Sequence, residues 1–524
     1  MPISPRSRKQ EPVANRLAKP IMAKGRAPAS ASAGLPLSPA NIIHGDNPSH
    51  GRPQILQRSQ FARLLQRDGV NCLFHTLNQR MVFGGPILRD LFAAFEGLTP
   101  TQRVIDRYSE RHPADLVRRV IADLSQNGLL VQNADGDVAV YRRAYAKAMN
   151  QYRIQLMYFL PTTACNFRCT YCFVEDEDRH QKPCFMDIPT AEMAVTTFAR
   201  LNKEAGHASI IFYGGEPLLN AKTTFYSLRR LRQLEAEGKL LPVDRVSVLT
   251  NGSLIDEEAV RVFKETRPTL GVSIDGPQML HDAARVDEHG RGTFVAALRG
   301  YKQLQDAGLK PGISCTLSAD TIGHMDEIVD FILTDLKPSG MGFNLPLPQT
   351  GHNQSESKFD HEFGVNQLIR AFTRLRDAGI YEDRVMRRVR PYQTQQLHCK
   401  DCMGVGGQIV VTPAGRVGPC QAYLGVDDEK HFPLDIRDLA AKGDQISAAD
   451  VYSNPLFGEW CQRFPLNMSQ CADCAAISVC GGGCPYAADV TDGSIWKVDE
   501  RVCHQAKNIL HWMIWDTHEH MKNA

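Results

Sequence analysis

Between about residues 153 and 350, strand-forming runs alternate with helical stretches, and this alternation limits the possible fold more than any other feature. The strand-like runs are Gln155–Leu160, Ser209–Tyr213, Val246–Thr250, Leu270–Ile274, Ile313–Leu317 and Gly342–Leu345. Helical patterns separate them, as at Met193–Leu201 and Phe294–Leu304. Repeated β–α units predict a parallel sheet with helices outside, either an open sheet or a partial barrel. In barrels the chemistry sits on the loops that follow the C-terminal ends of the strands.

The 15 cysteines among 524 residues are too few for a disulfide scaffold and too clustered to be scattered core residues. A net charge of +2 gives no general attraction to nucleic acid or anionic membrane, so neither is expected as a partner. With 43% hydrophobic and 23% charged residues, the composition is that of an ordinary globular protein. No apolar run approaches the ~18 residues that cross a bilayer. Clustered thiols without a secretory signal suggest metal ligation in a reducing, cytoplasmic setting.

The loop after the first strand reads Cys165-Asn-Phe-Arg-Cys169-Thr-Tyr-Cys172. Three thiolates can hold three irons of a [4Fe–4S] cluster and leave the fourth open to a cofactor or substrate. A zinc knuckle awaiting a fourth ligand is the alternative, and the position at a strand end favours the reactive cluster. Near the C-terminus stand Cys402, Gly415, Cys420, Cys471, Cys474, Cys480, Cys484 and Cys503, with Cys399 as a further thiol. Eight thiols suffice for two four-iron clusters, or for a pair of structural zinc sites.

These motifs resemble the radical S-adenosylmethionine superfamily. Its Cys-x3-Cys-x2-Cys signature, with an aromatic before the last cysteine, is met with Tyr171 in that place. Gly214-Gly215-Glu216-Pro217, Thr250-Asn251-Gly252, Ser273-Ile-Asp275-Gly276-Pro277 and Arg285 follow in the order the family shows. The resemblance implies an α/β fold: a partial (β/α)6 TIM-like barrel, a winged-helix-like N-terminal module and a cysteine-rich SPASM domain. It implies that Cys165, Cys169 and Cys172 hold the S-adenosylmethionine-binding cluster. It further implies that Gly215 exposes backbone to the methionine amine, that Ser273 and Arg285 contact ribose and carboxylate, and that Tyr171 and Leu347 border the adenine.

The C-terminal array matches the seven-cysteine SPASM pattern at every spacing. By that resemblance Cys399, Cys402, Cys420 and Cys484 hold one auxiliary cluster, and Cys471, Cys474, Cys480 and Cys503 the other. Gly481-Gly482-Gly483 would let the backbone make the tight return to Cys484. The spacing from Cys399 to Cys402 is shorter than in sulfatase-maturating members, so an open iron in the first auxiliary cluster is the other reading. Cys72, Cys184, Cys315 and Cys461 have no assignment, and Cys315 reads as a buried apolar thiol in the fifth strand.

At the N-terminus, Val117, Val120, Ile121 and Leu124 mark one face of a helix. Leu129–Val131 and Val138–Val140 around Asp135-Gly136 read as a hairpin, hence a winged helix-turn-helix. A helical cap on the main domain is the alternative. The mixed charge of the helix gives no basic stripe for DNA, and a wing that adds a peptide strand fits equally. The expected boundaries are a disordered basic tail over 1–54, a winged-helix-like peptide-recognition module over 55–150 and a radical SAM barrel over 151–350. A helical connection over 351–398, a SPASM domain over 399–510 and a C-terminal tail over 511–524 complete the chain. Glu175–Asp178 reads as a solvated acidic loop or a docking site for a basic peptide.

The whole resembles maturases of ribosomally made peptides, in which the wing recognises a leader segment. Gln421 stands where sulfatase-maturating enzymes carry an Asp base, which disfavours formylglycine formation. Oxidative thioether or carbon–carbon crosslinking of a precursor peptide or protein is the expected activity, with an external electron donor such as flavodoxin or ferredoxin. Epimerisation with Cys184 or Cys315 as hydrogen-atom donor, a small-molecule or RNA substrate, and a zinc-binding nucleic-acid module are the rival readings.

Overall fold

Period-two alternation of apolar residues builds the centre of the molecule. The computed structural model describes residues 54–149, 153–174, 182–203, 205–241, 243–348, 360–425 and 428–522. The expected tail over 1–54 and the acidic stretch Glu175–Asp178 fall almost wholly outside them. Six short strands come first: β1 (Ile55–Arg58), β2 (Ala62–Arg67), β3 (Val70–His75), β4 (Met81–Gly84), β5 (Thr99–Pro100) and β6 (Leu130–Val131). Then β7 (Leu156–Thr162), β8 (Ala208–Gly214), β9 (Val243–Thr250), β10 (Thr269–Ser273), β11 (Gly312–Thr316) and β12 (Met341–Asn344) alternate with helices. They pair in parallel in sequence order, as the alternation predicts.

One face of this sheet packs against the helices through Phe159, Ile210, Phe212, Val248, Val272, Ile313, Cys315 and Phe343. The residues between them, Tyr158, Tyr213, Ser273, Ser314 and Asn344, are half-buried on the opposite, inner face. Cys315 is thus the buried apolar thiol expected, turned toward the helices. Helix starts follow local chemistry. Asp187 caps the helix Ile188–Leu201 by accepting from the Thr190 amide, with a proline in its first turn.

Two expectations require correction. The hairpin over Leu129–Val140 does not form: Leu130–Val131 is a strand, but Ala134–Met149 is a helix. Its first turn carries Asp135 and Asp137, which suit a helix N-terminus. The buried Asp137 carboxylate accepts from the Ser59 hydroxyl at 2.6 Å and the Gln60 amide at 2.8 Å. These long-range partners outweigh the local turn signal of Asp135-Gly136. The strands of this module instead precede its helices, as the antiparallel sheet β2-β3-β4. The helix Ala114–Gln126 buries Val117, Ile121 and Leu124 against Leu56, Leu73 and Phe95, as its periodicity predicts.

Residues 511–524 are also no tail in their described part. The helix Glu500–Lys522 runs through them and buries Met513, Ile514 and Trp515 against Phe74 of β3 and Val389. The cysteine-rich region is likewise not separate from the sheet. Its first strand, β13 (Gln408–Val411), pairs in parallel with β7, and β14 (Arg416–Gly418) and β15 (Leu434–Asp435) continue the same sheet.

Candidate active site

The loop that carries Cys165, Cys169 and Cys172 leaves the C-terminal end of β7 and is held from two sides. The Arg168 and Thr170 amides donate to the Val286 and Ala284 carbonyls, at 2.6 and 2.9 Å. Asn166 donates to the Ser253 hydroxyl at 2.9 Å and accepts from Asn251 at 2.9 Å. Asn251 Nδ2 lies 4.0 Å from Cys165 Sγ. The segment after β9 and the residues that end and follow the helix Gln278–Ala284 thereby fix the cysteine loop.

Glu216, 1% exposed, links the next two strand ends. Its carboxylate accepts from the Leu218 amide at 3.0 Å, the Asn251 amide at 2.7 Å and the Thr250 hydroxyl at 2.8 Å. Burial pushes its pKa up to about 7 against the pull of those three donors. The preceding glycine serves packing: a Cβ on Gly215 would lie 2.0 Å from the Ala164 carbonyl oxygen. The motif therefore needs glycine there to seat the β8 loop on the cysteine loop.

Asp275, 1% exposed, organises the other side. It accepts from Arg285 Nε at 2.7 Å, from the Tyr171 hydroxyl and from the Thr316 amide at 2.8 Å. The Arg285 guanidinium lies 5.4 Å from the Tyr171 ring centroid, with one Nη 3.8 Å from Cys169 Sγ. Burial opposes the charge on Arg285, but Asp275, Tyr171 and Cys169 hold its pKa above the ordinary value. Burial and its neighbours likewise hold the Tyr171 hydroxyl well above the usual range. Arg285 thus places one compensated positive charge beside the thiols. Ser273 ends β10 on the inner face. Leu347 packs in a different group of side chains, with Phe173, Tyr213, Cys420 and Tyr423.

Two further thiol groups lie in the C-terminal region. Cys471, Cys474, Cys480 and Cys503 line one small cavity together with Gly482, Gly483 and Asp499. Cys402 and Cys484 lie within electrostatic reach of Cys420 and raise its pKa further, after burial. Gly481, Gly482 and Gly483 all have positive φ, at 73°, 89° and 73°. A Cβ on Gly481 would sit 2.3 Å from the Asp401 amide nitrogen, so glycine brings the 480–484 turn against the Asp401-Cys402 segment. Arg463, fully buried, braces the turn by donating to the Ile495, Gly482, Gly483 and Lys497 carbonyls.

Cys399 packs among its own neighbours. Its thiol donates to the Leu397 carbonyl and packs with Ala148 and Phe464, beside Lys147 and Lys400. Among the described residues no three His, Cys, Asp or Glu side chains converge on a single metal-ion position. All 15 cysteines are free of disulfides. Burial pushes Cys165 up to about 12, Cys169 to about 11 and Cys480 to about 12, so these thiols stay protonated unless a metal takes the proton's place. Buried soft donors in such groups fit iron–sulfur ligation.

Several residues that shape this site carry no role in the sequence reading. Glu216 and Asp275 stand inside quoted motifs, but only the fold shows that they are buried acceptors joining separate strands. Asn166, Tyr158, Tyr213 and Arg384 carry no local signal. Tyr213 packs edge-on to Tyr158, with ring centroids 6.0 Å apart, and stacks with Phe173. It lies within electrostatic reach of Cys172, while Tyr158 lies within reach of Cys402 and Cys420. The inner face therefore joins the first and second thiol groups.

Comparison with known proteins agrees with this geometry. The profile of the radical SAM superfamily matches residues 159–332. The radical SAM cyclopropyl synthase TigE of Paramaledivibacter caminithermalis is 22% identical, over 87% of this chain and 95% of its own. A cysteine-type anaerobic sulfatase-maturating enzyme of Clostridium perfringens is 26% identical over 64% of this chain and 89% of its own. The crystal structure of Streptococcus suis SuiB bound to precursor peptide SuiA superposes with a TM-score of 0.50 at 15% identity. That match covers 86% of this chain and 99% of SuiB. Among the described residues no helix is long and apolar enough to cross a membrane.

Proposed function

The chain is an enzyme of the radical SAM superfamily, and from that premise we propose that it modifies a peptide or protein by oxidative crosslinking. The observation that carries this reading is the inner face of the sheet, where Tyr213, within electrostatic reach of Cys172, packs edge-on to Tyr158, which lies within reach of Cys402 and Cys420. A substrate residue lodged there lies between two redox-capable thiol groups. Crosslinking removes one hydrogen atom and then one electron and one proton, a net two-electron oxidation, so it requires such an acceptor.

Cys165, Cys169 and Cys172 would hold the first [4Fe–4S] cluster, with S-adenosylmethionine bound near Gly215, Ser273 and Arg285. When bound, that pair supplies a 5′-deoxyadenosyl radical able to abstract hydrogen. Arg285, fixed by Asp275, offsets negative charge beside Cys169, and Tyr171 closes the same pocket. Cys471, Cys474, Cys480 and Cys503 would hold one auxiliary cluster. Cys402, Cys420 and Cys484 would hold the other, with Cys399 its fourth ligand only after a change of its present contacts.

SuiB, crystallised with a precursor peptide, supports a peptide substrate, and TigE, named for cyclopropyl formation, supports carbon–carbon bond formation. The N-terminal module, with the open edges of β2 and β4, is the proposed leader-binding element, and flavodoxin or ferredoxin the electron donor. Gln421 has an amide where a base would stand. Its Oε1 accepts from Gln408 at 3.5 Å, so formylglycine chemistry is disfavoured. The test is mass spectrometry of a precursor peptide after anaerobic turnover with reductant. Loss of roughly 2 mass units per crosslink is expected. An unchanged mass with inverted stereochemistry would replace crosslinking by epimerisation. An untouched peptide during cofactor turnover would refute the peptide reading.

A further inference from the structure

Arg384 stands on the inner face of the sheet, bonded to Asn344. It opens the helix Asp383–Gln393, whose start is capped by the fully buried Glu382. Glu382 accepts from the Phe343, Arg384 and Val385 amides, at 3.1, 2.9 and 2.7 Å, and so ties the helix start to the end of β12. The side chain passes Gly342, where a Cβ would lie 4.0 Å from Arg384 Nε. Its Nε donates to Asn344 Oδ1 at 3.0 Å, and Nη2 donates to the same oxygen.

Among the described residues Arg384 forms no ion pair. The nearest acid on its own helix, Asp383, is bound to Arg387 at 2.8 Å, and Asp401 is bound to Arg388 at 2.5 Å. Both carboxylates attract Arg384 at longer range, but each is bonded to another arginine. Arg384 also lies within electrostatic reach of Tyr158 and Tyr213. A guanidinium held on two nitrogens by a neutral amide, with both neighbouring acids engaged, is preorganised for an incoming anion. Arg387 and Arg463, by contrast, lie within electrostatic reach of Cys402.

We infer that Arg384, positioned by Asn344, is a specificity determinant that binds a side-chain carboxylate of the substrate peptide on the inner face of the sheet. The inference rests on the peptide reading above. The preferred substrate then carries Asp or Glu at a fixed offset from the modified residue. A charge-assisted hydrogen bond in a partly desolvated site supports about tenfold preference for Asp or Glu over Asn or Gln.

The test is affinity selection of a displayed library of random 12-residue peptides on reconstituted full-length enzyme with S-adenosylmethionine. Iron content and circular dichroism are matched for every variant. The wild type should enrich Asp or Glu at one position by about tenfold over Asn or Gln. Arg384→Gln should lose that enrichment, Arg384→Lys should keep most of it, and Arg384→Glu should turn the preference to Lys or Arg. Equal acidic enrichment by wild type and Arg384→Gln overturns the inference while leaving a peptide substrate in place. The same holds if Arg384→Gln alters only the electron paramagnetic resonance of a cluster, which would assign the charge to that cluster. No enrichment over an unrelated protein overturns both readings.

Discussion

Replacing Asp275 by Asn tests whether the buried ion pair holds the cofactor side of the site together. The Asp275 side chain is 1% exposed and its partner Arg285 9%, so solvent screens their interaction little. Breaking a buried pair from one side costs about 3–5 kcal/mol, chiefly because the remaining charge stays buried and unpaired. Asn keeps the volume and one acceptor for the Thr316 amide, which places the expected loss near the lower end, at about 3 kcal/mol. With a urea slope of about 2 kcal/mol per molar, the midpoint should fall by about 1.5 M. Hydrogen exchange of the β10 and β11 amides should report the same loss locally, because the module and the sheet need not unfold together. Asp275→Asn combined with Arg285→Gln removes the orphaned charge, and the double variant should recover about 2 kcal/mol relative to additivity. A single variant within about 0.5 kcal/mol of wild type would refute the reasoning, since it would mean that water already reaches the pair.

Further outcomes follow from other parts of the site. Glu216→Gln should become more stable relative to wild type as pH rises from 4 to 8. The raised folded pKa means that the unfolded chain loses this proton near 4.5 and the folded chain only near 7, so wild-type stability falls across that window by at most about 3 kcal/mol. Parallel urea titrations across pH measure it, and a flat difference counts against the assignment. Gly215→Ala should lower cofactor binding and cluster retention, because a methyl 2.0 Å from the Ala164 oxygen must displace the cysteine loop; equilibrium dialysis and iron analysis read both. Full reconstitution should give about 12 iron per chain, and joint replacement of Cys165, Cys169 and Cys172 should remove about a third. Cys399→Ala should retain the iron of wild type if the present contacts of Cys399 persist, whereas loss of a cluster's share would make it a ligand.

The sheet was legible because its strands are short, β-branched and regularly spaced, so Val246–Thr250 and Ile313–Leu317 announce themselves. The thiols themselves were legible through their clustering, and their division into groups rested on the family resemblance. What remained hidden is long-range. Asp135-Gly136 carries a hairpin signal that loses to bonds from Ser59 and Gln60, nearly eighty residues away. Residues 511–522 read as an end of chain, yet Trp515 fills a core built from β3 and the helix Asp383–Gln393. Arg384 and Tyr158 acquire meaning only when a strand and a helix far apart in sequence meet on one face. Spacing also could not show that Cys399 packs with Ala148 and Phe464.

The pairing of β13 with β7 has a consequence for the spacing of the thiol groups. One strand runs directly into Cys165; the other lies between Cys402 and Cys420, with Val411 opposite Phe159. Because β14 returns antiparallel with Gly418 opposite Val410, Cys402 and Cys420 flank the end of the ladder where β7 begins, and Cys165 follows the end where β7 finishes. A slip of two residues in that register would preserve every inward and outward face yet shift the groups by about 7 Å. The register of β7 and β13 thus sets how far apart stand the strand ends from which the two thiol-bearing segments leave.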